Sequence, residues 1–135
     1  MQTLHLADWL GPLGGALVFV AILSLVNEPL RHKLNALAVV GAAATYVGGA
    51  LGPWELVYVV VGFAVGYRAL GSYRWIAVGW WMHAGWDLVH HYLGSPIWPW
   101  MPTSSFGCTL FDSAIAVWFV AGAPSIWRRR ATVPA

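Results

Sequence analysis

Residues 75–93 read WIAVGWWMHAGWDLVHHYL, an apolar run long enough to span a bilayer that still holds His83, Asp87, His90 and His91. Ionisable side chains at membrane depth are costly and usually mark function. Steps of four, three and one residues at about 100° per residue place His83, Asp87 and His90 within a ~60° arc, with His91 at its edge. One helix face therefore carries all four.

The rest of the chain shares this apolar character. Of 135 residues, 59% are hydrophobic, 9% are charged and ten are Trp, and the mean hydropathy is +0.66. Soluble domains do not have this balance, so the chain reads as a single integral membrane domain over residues 1–135. The formal charge is +2, but the seven basic residues fall in scattered pairs and one triplet without a continuous patch, which argues against a nucleic-acid partner. The single cysteine, Cys108, rules out an intramolecular disulfide. The opening MQTLHLADWL has no Lys or Arg ahead of its apolar run and no small-residue cleavage site, so the first segment is expected to remain in the mature protein.

Five segments have the length and apolarity to span: Trp9 to Val26, Leu34 to Leu51, Trp54 to Leu70, Trp75 to Leu93 and Ser105 to Gly122. The expectation is an all-α bundle of five transmembrane helices. Charge supports the count independently. Arg31 and Lys33 lie in the first connection, Arg68 and Arg74 flank the third, and Arg128, Arg129 and Arg130 follow the last segment. The second and fourth connections contain no Lys or Arg. The positive-inside rule then makes the basic side and the C-terminus cytoplasmic and puts the N-terminus, with Asp8, outside, as in a multi-pass protein of a bacterial inner membrane. Trp9, Trp54, Trp75, Trp98, Trp100 and Trp127 fall near the surfaces of such a bundle, where indole rings anchor at headgroup depth. Glycines four apart at Gly11/Gly15, Gly48/Gly52 and Gly62/Gly66 suit close helix packing, within one chain or between copies of it.

Functional candidates converge on the outer half. Ser104, Cys108 and Asp112, spaced four apart, form a second polar stripe on the last segment. The dozen-residue connection makes the last two helices antiparallel neighbours, with Cys108 level with His90 and Asp112 level with Asp87. Two carboxylates at equal depth in a low dielectric need a cation between them or must share a proton. Three arrangements follow. The first is a site for zinc or another divalent transition metal, with Asp87, His90, His91 and Cys108 as candidate ligands, His83 as the proton-transfer group and Asp112 as the coupled acid. His83 and His90, about 10.5 Å apart along the axis, would not share one ion. The second is a metal-free His83–Asp87 acid/base dyad beside aromatic rings. The third is a buried hydrogen-bonded network that fixes helix register without chemistry.

Residues 94–103, GSPIWPWMPT, are uncharged and proline-rich, and read as a stiff interfacial lid that shapes entry for a lipid-soluble ligand. Ser104 is expected to cap the last helix. Glu28 is expected to end the first helix near Arg31, and His5 and His32 to face solvent.

The run HAGWDLVHHYLGSPIWPWMPTSSFGCTLFD, residues 83–112, resembles a family of small bacterial membrane proteins known only as a domain of unknown function. That resemblance implies a topology and no activity. DLVHH, residues 87–91, looks like one fragment of the histidine boxes of membrane fatty-acid desaturases, which need several, so a di-iron centre is not expected. His83 with Asp87 and Asp112 is similar to the histidine and paired acids of the five-helix membrane sterol isomerases, with aspartate in place of glutamate. The reading is an enzyme, metal-assisted or acid/base, acting on a lipid-like or isoprenoid molecule. Its rivals are a cation or proton pathway and a haem-binding, pigment-binding or purely structural subunit.

Overall fold

The computed structural model describes residues 3–93 and 95–127, and Arg128, Arg129 and Arg130 lie outside them. The described residues form five α-helices and no strand: α1 (Leu6–Leu23), α2 (Leu30–Ala44), α3 (Pro53–Ala69), α4 (Tyr73–Tyr92) and α5 (Ser104–Val120). α3, α4 and α5 lie within two residues of the spans read from sequence. α2 does not. It was expected to continue to Leu51 but stops at Ala44, because the apolar stretch beyond it contains Gly48 (φ +83°) and Gly52 (φ +57°), whose left-handed backbone turns the chain. This pair of glycines therefore serves a turn and not a helix interface, and it frees Tyr46 to point inward.

Pro53 starts α3 at a position where its missing N–H costs nothing. Gly62 and Gly66 on α3 face α2, since a β-carbon at Gly62 would overlap Ala43 and one at Gly66 would overlap Val40. Gly79 does the same for α4 against Val39. Close backbone approach is what these small residues provide, and it is used within this chain.

The helices alternate in direction. α4 and α5 are antiparallel, with Tyr73 against Phe119, the Thr109 hydroxyl donating to the Ala84 carbonyl and His91 beside Phe106 in succession along the pair. α1 runs parallel to α5, from Trp9 edge-on to Phe106 to Ser125 on Ser24. α4 is central, packing on α5, α3 and α2, whereas α1 packs on α5 and buries only Ala16. All four described basic residues, Arg31, Lys33, Arg68 and Arg74, consequently sit at one end of the bundle, and Asp8 and Glu55 at the other.

An apolar core fills the basic half, with Ile76, Ile115 and Phe119 completely buried beside Ala69, Ala77 and Trp80. Near that end Glu28 accepts from both Arg31 (2.9 Å) and the Tyr73 hydroxyl. His32 does not face solvent as expected: its Nε2 lies 2.7 Å from the Ala69 carbonyl and its ring rests on Tyr73. His5 is exposed.

The outside of the bundle is apolar. Leu17 is 72% and Val60 69% exposed, and α1, 18 residues long, is long and apolar enough to cross a membrane.

Candidate functional site

α4 turns His83, Asp87 and His90 into the bundle interior, all buried. Their spacing of four and three residues keeps them on one stripe. Asp112 meets them from α5, Tyr46 from the turn after α2, and Glu55 and Tyr58 from the first two turns of α3. Two linked clusters result.

The deeper cluster is His83, Asp87 and Asp112, which offer ligand atoms all within 4.8 Å of one another. His83 Nε2 lies 3.8 Å from Asp87 Oδ1 and 3.9 Å from Asp112 Oδ2. Tyr58 fixes the imidazole through a 2.7 Å contact between its hydroxyl and Nδ1, and the Tyr46 hydroxyl donates to Asp87 Oδ1. Asp87 Oδ2 and Asp112 Oδ2 are buried with no other hydrogen-bond partner among the described residues, while the two carboxylates lie within hydrogen-bonding reach of each other. Buried carboxylate lone pairs demand a proton or a cation. In the tautomer that donates Nδ1–H to Tyr58, the Nε2 lone pair and one oxygen from each carboxylate make a donor set suited to a divalent metal, with a tyrosine hydroxyl behind His83 and another behind Asp87.

The second cluster lies nearer the Asp8 end. Glu55, with no exposed surface, accepts from Trp86 Nε1 at 2.9 Å and from the Leu51 N–H at 3.2 Å, and its Oε1 is 3.1 Å from His90 Nε2. His90 Nδ1 is 3.2 Å from the Ser95 carbonyl, an acceptor only, so Nδ1 carries a hydrogen. Nε2 faces the Glu55 carboxylate without a hydrogen-bond partner among the described residues. Two stacked pairs join the clusters: Tyr46 on His90 at 4.4 Å, and Tyr58 on Trp86 at 4.6 Å and 5°.

Residues 95–103 are tied down over this end. The Ile97 N–H donates to Ser105 Oγ and the Trp98 N–H to Ser104 Oγ, both at 3.1 Å, while Ile97 packs on the Tyr46 and Tyr58 cluster. Gly94 of the same connection lies outside the described residues. Ser104 is thus the first residue of α5 and a loop anchor, and not the expected cap, a position held by Thr103.

The sequence-derived ligand set, Asp87, His90, His91 and Cys108, is not gathered. His90 turns to Glu55, a residue the sequence reading did not single out. His91, about 80° around α4 from His83, lies against Phe106 with Nδ1 unpartnered. Cys108 lines a separate apolar cleft between α1 and α5. His83 and Asp112, expected as proton-transfer group and coupled acid, are the pair that joins Asp87. Tyr58 was not anticipated either, although it and Glu55 share a face of α3 with Gly62 at steps of three and four residues, a signal that sequence periodicity carries.

No curated protein and no solved structure matches the chain. The family described as "Family of unknown function (DUF6010)" matches residues 7–125, a stretch that takes in every member of both clusters. The protein therefore belongs to the DUF6010 family.

Proposed function

We propose that this protein is a multi-pass membrane enzyme in which His83, Asp87 and Asp112 bind a divalent transition metal such as zinc and act on a lipid-like or isoprenoid molecule. The observation that carries the reading is the convergence of one imidazole and two carboxylates within 4.8 Å, with an oxygen on each carboxylate that has no partner beyond the other carboxylate. Five alternating helices, an apolar exterior and all described cations at one end support a five-span bundle with its basic end cytoplasmic and the site in its outer half. α1, α3, α4 and α5 have 17 to 20 residues, about 26–30 Å at 1.5 Å per residue, a length that suits a bilayer core, whereas α2 with 15 residues is shorter.

A bound metal would polarise a substrate oxygen or activate water. The residues themselves supply the frame: Tyr58 orients His83, Tyr46 orients Asp87, and the Glu55–His90 pair stands one stacked ring away. The polar groups give way to Ile76, Ile115 and Phe119, which favours an enclosed site over a path through the bundle.

Elemental analysis of protein purified in detergent without chelators tests the assignment. About one transition-metal ion per chain is expected, falling at least tenfold in His83→Ala, Asp87→Asn and Asp112→Asn and retained in Cys108→Ser. A metal-free parent, or undiminished metal in all three variants, would overturn it.

A further inference from the structure

Between α1, α5 and the 98–103 segment lies a cleft of about 470 Å³, within the range of small-molecule sites, walled by Gly11, Pro12, Trp98, Met101, Cys108 and Phe111. We infer that this cleft holds the uncharged hydrocarbon chain of the lipid on which the His83, Asp87 and Asp112 site acts. The inference rests on the proposed function for the reaction it serves, but its own geometry is independent of any metal.

Three observations fix the class of occupant. The cleft's polar rim is already satisfied: the Asp8 carboxylate accepts from the Thr103 hydroxyl at 2.7 Å and the His5 N–H at 2.8 Å, and Ser104 Oγ accepts from Trp98. No described Lys or Arg lies nearby, because Arg31, Lys33, Arg68 and Arg74 are all at the opposite end. A phosphate or carboxylate headgroup would meet the Asp8 carboxylate, with the exposed His5 ring beside it and no permanent cation, so an anionic lipid is disfavoured here. What remains is apolar wall, which rewards a neutral chain.

The cleft borders the carboxylates through one residue. Cys108 lines it and stands one helical turn, about 6 Å along the axis, from Asp112. A chain lying along α5 would bring its polar end toward the carboxylates. Gly11 is the key wall position: a β-carbon there meets nothing within 4 Å, so a side chain added at Gly11 projects into free space.

The test uses hexadecanol bearing a photoactivatable diazirine, incubated with the full chain in detergent, with adducts located by peptide mass spectrometry. Adducts are expected on Pro12, Met101 and Phe111, with a drop of about tenfold in Gly11→Leu and no change in Val60→Phe on the outer face of α3. Met101→Trp, on the exposed loop, provides a second block that leaves the helices untouched and should give a similar drop. Adducts spread over α3 as densely as over the cleft would overturn the inference. So would labelling that is unaffected by both blocking variants, or equal labelling of the cleft by diazirine-bearing hexadecanoate. Cleft labelling of a parent without metal would support the chain site while overturning the metal reading alone. Intact metal binding with no cleft labelling would do the reverse.

Discussion

The two halves of the bundle are built on opposite terms. Near the basic end, Ile76, Ile115 and Phe119 interlock with Ala69 and Ala77, and their burial is the main stabilising force there. Toward the Asp8 end, the same three helices, α3, α4 and α5, bury Glu55, Asp87, His90 and Asp112 and leave one oxygen of each aspartate with no partner beyond the other aspartate. Desolvating such groups costs stability unless a ligand or proton completes them. One half holds the helices together so that the other can keep unfinished chemistry.

Substitutions that break this contrast should differ in sign as well as size. The largest loss is expected for Phe119→Ala, about 3–5 kcal/mol for a fully buried ring, read as a lower unfolding midpoint in detergent. A similar loss for Asp112→Asn in metal-free protein would erase the distinction between the halves. Next in size is Val60→Lys on the exposed face of α3. A central lysine costs roughly 2.5–3.5 kcal/mol on insertion scales, so the fraction resisting alkaline extraction from membranes should fall relative to Val60→Leu. An unchanged fraction would remove the bilayer from the picture.

Tyr58→Phe removes the hydroxyl behind His83 while keeping the ring stacked on Trp86. It should weaken metal affinity roughly 10–100-fold with the fold intact. Equal affinity would mean that His83 needs no such support. The smallest change is expected for Asp112→Asn without metal, where the unfolding midpoint should stay level or rise slightly because a costly buried acid is gone. Added zinc should then raise the midpoint of the parent and not of this variant, by about 2.7 kcal/mol at a hundredfold excess over Kd.

How far the sequence disclosed this arrangement depends on the element. The α4 stripe was legible because period 3.6 alone brings His83, Asp87 and His90 to one side, and Asp112 because antiparallel neighbours share depths. Cys108 lies about 40° from Asp112 around α5, so it walls the cleft toward α1 while staying within electrostatic reach of Asp87 and Asp112; Asp112, seven residues from the buried Ser105, stays within about 20° of it and faces α4. Glu55 was hidden by its place near a helix start, where an acid ordinarily meets water. Tyr46 was hidden inside an apolar stretch whose glycines end the helix early.

The joined clusters close on themselves: Glu55, Trp86, Tyr58, His83, Asp87, Tyr46, His90 and back to Glu55, each step a hydrogen bond, a polar contact within 4 Å or a face-to-face stack. A hoop has no loose end, so no member can swing aside without disturbing two others. Such stiffness fixes His83 and Asp87 relative to each other, so that Asp112, reaching in from α5 outside the hoop, alone sets how wide an ion the three could clasp.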